Sequence, residues 1–291
     1  VTPCLTKCPA MRSEHRARGS EQGLQYVDAH CHLHDHRIIS DIPGIVQRAE
    51  AAGVTCMVTC ATMEENFEAT AMLARRYPAV VPCYGIHPWF LDSLTSRWKQ
   101  VLGDRVAAEP CGIGETGLDF MDKQADRERQ LAVFAFHLAL ARDLARPVNI
   151  HIRKAWDPFV RMLKKTGPLK TPGLVHSFSG SAELVKVLAR YNLYISFSGS
   201  VTRPGAKKVV KALNAVSMDR ILLETDTPDI YPSVPDPDSH GLNEPKNIPF
   251  IARIAAARAG VPFPEFARRA HANALTVFSP VIPEDDSGKT G

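Results

Sequence analysis

The chain has 291 residues, 45% of them apolar and 23% charged, which supplies a packed core and excludes wholesale disorder. At about 150 residues per domain the length allows one or two domains, and it also matches a single α/β barrel. A formal net charge of +4, from 35 Lys and Arg against 31 Asp and Glu, tolerates an anionic substrate without demanding one, and no stretch approaches the run of about 18 apolar residues that a membrane span needs.

Residues 1–24 are polar, mixed in charge and without an apolar signal core, so they read as a flexible tail. Their arginines after Met11, itself an alternative start, suggest a transit segment; Glu14 and Glu21 oppose it. From there strand and helix patterns alternate. Residues 26–29 predict a strand that runs into a His-rich loop. A helix follows over 41–52, with Asp41 as cap, Pro43 in the first turn and Gly53 as stop. Further strands are predicted at 54–59, 80–84, 106–113, 148–150, 174–175, 193–197 and 221–223. Helices are predicted between them at 64–77, 94–102, 123–145, 158–165, 182–190 and 204–216. Two more helices, 247–259 and 264–278, close the body, and residues 281–291 form a second flexible tail. Eight strand–helix alternations over 25–280, with no linker of shifted composition, predict one domain with a TIM-type (β/α)8 barrel; an open doubly wound sheet is the runner-up.

Seven cysteines, all in the first half and none in a C-x-x-C pair, point to buried free thiols and a reducing, cytoplasmic setting, with nuclear or organellar placement left open. The residues with metal-binding chemistry fall at predicted strand ends. His30 and His32 follow the first strand, Glu115 the fourth, His151 the fifth, His176 the sixth and Asp226 the eighth. In a barrel every strand C-terminus opens onto one face, so residues this far apart in sequence meet there. Four imidazoles and two carboxylates are enough for two divalent cations that activate a water between them. Glu115 is the natural bridge, and Asp226 serves as ligand and base. No thiolate stands at these positions, which argues against a closed structural zinc site, and Mg, Mn and Zn all remain open.

Each of these residues taken singly has an ordinary explanation, such as a core hydrogen bond or a helix cap. Metal-ligand types at five separate strand ends do not. His34, His36, His137 and His240 read as ordinary loop or packing residues, and His271 as a helix residue.

The motifs DAHCHLH, GIHP, GIGETGLDF, IHIRKA, HSFSG, ETDTP and NEP occur in the order found in TatD-family metal-dependent deoxyribonucleases, and the chain resembles that family from Tyr26 to Phe278. The resemblance implies a metal-dependent hydrolase barrel with His30, His32, Glu115, His151, His176 and Asp226 as metal ligands. It also implies hydrolysis of DNA phosphodiesters, often on single strands from the 3′ end. It gives secondary positions as well, each with an ordinary alternative: His87 toward substrate phosphate or as a turn residue before Pro88, Arg153 toward phosphate, toward Glu115 or in a surface salt bridge, and Asn243 and Glu244 at the rim of the site or fixing the turn before the next helix. Lys154, Arg203, Lys207, Lys208 and Lys246 are candidates for a phosphate-attracting rim or for plain solvated faces.

Three departures stand out. DSHGLNEP lacks the basic run common before NEP, Ser177 replaces a common cysteine, and Trp89 follows GIHP where a histidine is often seen. The rival readings are an amidohydrolase-type enzyme for small esters, lactones or phosphotriesters at the same two-metal site, and a non-catalytic scaffold. Glu115 stands where the former usually carries a carboxylated lysine. The sequence leaves the oligomeric state open, with a monomer as the simplest case.

Overall fold

The computed structural model describes residues 23–233 and 241–282. Cys4, Cys8, Met11, His240 and most of the two expected tails lie outside the described residues. Leu24 packs against the core and Val281 is buried, so the folded body takes in both.

Among the described residues eight parallel strands stand side by side in chain order. They are β1 (Tyr26–Cys31), β2 (Val54–Cys60), β3 (Val80–Tyr84), β4 (Gly112–Asp119), β5 (Val148–Arg153), β6 (Gly173–Val175), β7 (Leu193–Phe197) and β8 (Ile221–Leu223). Helices α1 (Ile42–Ala51), α2 (Phe67–Arg76), α3 (Trp98–Ala108), α4 (Arg127–Asp143), α5 (Trp156–Thr166), α6 (Ala182–Ala189) and α7 (Lys207–Leu213) each link one strand to the next. α8 (Ile248–Ala259) and α9 (Phe263–Phe278) follow β8. The chain returns from β8 to β1 at the rim, where the Asp226 amide donates to the His30 carbonyl at 3.0 Å and the His32 amide to the Thr227 carbonyl at 2.7 Å. Below, the Thr225 amide (2.9 Å) and hydroxyl donate to the buried Asp28 carboxylate across the same seam. The result is the nearly closed (β/α)8 barrel that the alternation predicts.

Two apolar layers hold it together. Outside the strands, the helices bury one stripe each; Phe134, Leu138 and Ala141 of α4 lie three to four residues apart on one face and are 0–2% exposed. Inside, Val27, Ala29, Val58, Val81, Leu174 and Leu222 form a second cluster with Ala274, Val277 and Phe278 of α9. α9 thus plugs the N-terminal end of the barrel, and Asn273 fastens it by donating to the carbonyls of Met218 (2.8 Å) and Ile221 (2.9 Å).

The boundaries between the third helix and the fourth strand differ most from the sequence expectation. The helix expected at 94–102 is α3, ending at Ala108, and the strand expected at 106–113 is β4, starting at Gly112. Leu102 and Val106, four residues apart on one helix face, are both fully buried, so the helical period continues through the apolar run that reads as a strand. The glycines that make GIGETGLD look like a loop are a packing requirement. At Gly117 φ is 152°, and a Cβ would lie 1.8 Å from the His151 carbonyl oxygen on β5. Glu115, His30 and His151 therefore sit inside β4, β1 and β5 rather than beyond their ends. Asp41 makes no capping hydrogen bond; its carboxylate pairs with Arg48 at 2.8 Å instead. Gly53 and Gly260 end α1 and α8 with φ of 84° and 67°, as stop signals should. Cys31, Cys56, Cys60, Cys83 and Cys111 are buried free thiols. No helix among the described residues is long and apolar enough to cross a membrane.

Candidate active site

The C-terminal strand ends surround an open cavity of about 720 Å³, with His32, His87, Glu115, His151, His176 and Asp226 in its wall. Strand irregularities aim two of the elements into it. The register of β1 against β2 shifts between Asp28 and Cys31, and that of β4 against β5 shifts between Ile113 and Thr116. Tyr26 and Cys31, five residues apart, therefore both face the helix layer, as do Ile113 and Leu118. An unbroken pleat would send one of each pair inward. The shifts turn His30 and Glu115 to the barrel axis. Asp226 is held in left-handed backbone, φ 58°, just past β8.

All six residues expected to bind metal meet there, in two donor groups on the two oxygens of Glu115. On one side His30 Nε2 and His32 Nε2 lie 3.5 and 3.4 Å from Glu115 Oε2 and at the same distances from Asp226 Oδ1. On the other, His151 Nδ1 and His176 Nε2 lie 3.0 and 2.9 Å from Glu115 Oε1.

A further ring of contacts decides which nitrogens face the centre. His30 Nδ1 donates to Asn149 Oδ1 at 2.9 Å, and Asn149 is itself fixed by donating to the Ala29 carbonyl. His32 Nδ1 donates to the Cys60 carbonyl at 2.8 Å. With both rings neutral, as metal binding requires, both Nε2 atoms present lone pairs, and they face each other 3.1 Å apart. Two lone pairs at that distance call for a cation between them and the carboxylates, and the donor set of nitrogen and oxygen suits a divalent one. His151 turns its Nε2 to Asp119 Oδ2 at 3.2 Å. His176 Nδ1 stands 3.4 Å from Glu224 Oε1, and neither that nitrogen nor the buried Glu224 Oε2 has a hydrogen-bond partner among the described residues. A small ring movement as an ion takes Nε2 would complete the Glu224 contact. The groups His30–His32–Asp226, His30–Glu115–His176 and His87–Glu115–His151 can each hold an ion.

Electrostatics follow the same plan. Burial pushes the Glu115 carboxyl up, but His87, His176, His30 and His151 around it win and hold it well below the usual carboxylate range. Asp226 is likewise lowered, its burial outweighed by the His32 hydrogen bond and the charges of His30 and His176. His32 is held up to about 9, burial being overcome by Asp226 and Glu115. His87 goes the other way, down to about 3, because burial and the neighbouring imidazoles disfavour its charge more than Glu115 favours it.

The other expected residues divide. His87 Nδ1 accepts the Trp89 amide at 3.1 Å, so its proton sits on Nε2, 3.4 Å from Glu115 Oε1 and in the cavity wall. Arg153 and Arg203 line the cavity, and their guanidinium groups have no partner among the described residues. Asn243 and Glu244 are not in the cavity wall. Asn243 is fully buried and donates to the Thr225 and Ile230 carbonyls at 2.7 and 3.3 Å, fixing the turn after β8. Glu244 pairs with Arg48 at 2.7 Å. Lys208 donates to the Ser179 carbonyl, Lys246 pairs with Glu244, and Lys207 lines a separate hollow beside α7. His137 is a satisfied core residue, accepting the Ile86 amide and donating to the Val133 carbonyl, and His36 and His271 stay outside the site. His34, expected to be an ordinary loop residue, reaches the cavity wall. Sequence reasoning missed Asn149, Asp119 and Glu224. The last two carry a signal in hindsight, since GLDF and ETDTP each place a carboxylate near a ligand.

A (β/α)8 barrel whose strand ends gather four imidazoles and two carboxylates defines a metal-dependent hydrolase. Comparison with known proteins gives the family: residues 27–279 match the family described as TatD related DNase. The human deoxyribonuclease TATDN3 is 32% identical over 271 residues, covering 88% of this chain and 95% of the human one. An uncharacterized metal-dependent hydrolase of Bacillus subtilis, YabD, is 30% identical over 256 residues, 86% of this chain and 98% of its own. The crystal structure of YjjV, a TatD homologue from Escherichia coli, superposes with a TM-score of 0.82 at 28% identity, over 88% of this chain and 98% of that one. The chain belongs to the TatD family of metal-dependent hydrolases, and is an enzyme acting on ester bonds.

Proposed function

We propose that the protein is a deoxyribonuclease that removes nucleotides from the 3′ ends of single-stranded DNA, with two divalent cations held by His30, His32, Glu115, His151, His176 and Asp226. The observation that carries this reading is the division of six donors into two groups on the two oxygens of one buried carboxylate, at the floor of an open cavity whose wall includes Arg153 and Arg203. The name of the human relative supports DNA as substrate. The buried free thiols support a reducing compartment such as the cytoplasm.

Such a metal pair supplies Lewis-acid activation of water and of the phosphoryl oxygens. The chain does the rest. Glu115 fixes the separation of the two donor groups and stays ionised. Asp226, at the cavity wall, takes the proton of the attacking water on a carboxylate oxygen. His87, neutral and protonated on Nε2, is a hydrogen-bond donor toward the same space. Arg153 and Arg203 hold the phosphodiester against the wall.

The test is nucleotide release from 3′-labelled and 5′-labelled single-stranded DNA. Metal-stripped protein is resupplied separately with Mg, Mn and Zn. Stepwise release from the 3′ end is expected. The Asp226→Ala variant should fold and lose about 10²–10⁴ in rate, and Glu115→Ala should fold and lose activity as well. No release with any metal, from folded and metal-loaded protein, would overturn the reading in favour of small esters, lactones or phosphotriesters.

A further inference from the structure

Trp89, in the loop after β3, is 62% exposed and stands in the wall of the catalytic cavity. A large indole in water is an ordinary surface feature when it is free to move, but this one is fixed. Its Nε1 donates to Asp119 Oδ2 at 2.8 Å, and its own amide donates to His87 Nδ1. Asp119 is 2% exposed, and the same oxygen faces His151 Nε2. The indole ring packs edge-on to His87 and His151, with centroids 4.8 and 6.2 Å apart. A rigid aromatic surface, still mostly in water, therefore stands beside the residues that would carry the reaction.

We infer that Trp89 is the stacking platform for the nucleobase next to the scissile phosphate. This rests on the phosphodiesterase reading above and adds to it a residue that selects base-bearing substrates. The occupant follows from the chemistry of the cavity. Its floor gathers cation-binding groups, its rim offers Arg153 and Arg203 to a phosphate, and Trp89 offers a π-face that any base can use. Fixing the ring before binding removes most of the entropy that stacking would otherwise cost. Because any base has a π-face, the platform distinguishes a nucleotide from an abasic or simple alkyl ester, not one base from another.

The experiment compares kcat/KM on a short single-stranded oligonucleotide with that on the same oligonucleotide carrying a tetrahydrofuran abasic residue beside the scissile bond. In the metal-loaded wild type the base-bearing substrate should be favoured by about tenfold or more, the size of one base–aromatic stack. Trp89→Phe should keep most of that ratio, and Trp89→Ala should bring it toward one. The ratio cancels any slowing common to both substrates that comes from losing the Asp119 hydrogen bond. An unchanged ratio in Trp89→Ala, or an equal loss in Trp89→Phe, would overturn the platform. Turnover of the abasic oligonucleotide keeps the phosphodiesterase reading whatever the ratio. If the wild type cleaves neither oligonucleotide, that reading fails, and quenching of indole emission by thymidine 5′-monophosphate decides for Trp89. Quenching that Trp89→Phe lacks would retain it, and no quenching would reject it.

Discussion

Glu224 and Asp119 lie behind the donor groups, yet each sets the direction of a ring that faces them. Glu224 stands by His176 Nδ1 and also accepts the Ser177 amide at 2.6 Å, while Asp119 takes His151 and Trp89 together. Removing their charge should leave the fold and loosen the site: Glu224→Gln and Asp119→Asn are expected to lower divalent-metal affinity by about 10–100-fold. Competition against a fluorescent chelator measures this, with circular dichroism as the control, and unchanged affinity in both variants would contradict the assignment. The raised His32 adds a pH dependence with a definite sign. In the ion-free chain it keeps its proton up to about pH 9, and a metal binds only the deprotonated ring. Apparent affinity should therefore rise with pH across the neutral range, with proton release visible as a buffer-dependent binding heat. At this scale the sequence was informative wherever residue type alone signals chemistry. The meeting of His30, His32, Glu115, His151, His176 and Asp226 is legible because such side chains are rarely placed at the ends of five strands of one barrel. Asn149 is not, and Asp119 and Glu224 are only as carboxylates near a ligand in sequence, because each acquires its role from a ring that the barrel brings from another strand.

At the scale of elements, the strands do more than end near one another. The register shifts in β1 and β4 turn His30 and Glu115 inward, and nothing in an alternating pattern announces a shift. The same limit explains the misplaced start of β4, since a strand of glycines is recognisable only once its neighbour is present. Gly117→Ala should therefore be among the most disruptive single-methyl additions in the chain. With 1.8 Å to the His151 carbonyl, β4 and β5 must separate, and the variant should lose soluble yield or show a Tm lowered by several degrees. The β8–β1 seam supplies a second prediction. Burial lifts Asp28 from 3.8 to about 7, against the Thr225 hydrogen bonds that lower it. The native chain then holds this proton to about pH 7, whereas the unfolded chain releases it above 3.8. The stability Asp28 contributes is full below pH 3.8, declines as pH rises to about 7 and is level beyond that. Metal-free Asp28→Asn should lack this decline, so the difference in melting temperature between wild type and variant should shift in favour of the variant from pH 4 to pH 7. A pH-independent difference would show that the carboxyl is ionised throughout.

At the scale of the whole molecule, the eightfold alternation made the barrel readable from the sequence, because each unit carries its own periodicity and stop signals. The order of events that completes the barrel is a different matter. Loading the site should stabilise the whole fold by about 2.7 kcal/mol at a hundredfold excess of free metal over Kd, read as a rise in Tm that a chelator reverses. The floor of the barrel comes from the other end of the chain. Ala274, Val277 and Phe278 fill the space beneath a lining that begins with Val27, so the first strand waits for residues some two hundred and fifty positions later in the sequence to cover it. During synthesis at about 5–20 residues per second, a growing polypeptide displays that apolar lining for many seconds before its cover leaves the ribosome. Ribosome-bound nascent chains that stop short of α9 should accordingly recruit chaperones and remain protease-sensitive, however many βα units have already emerged.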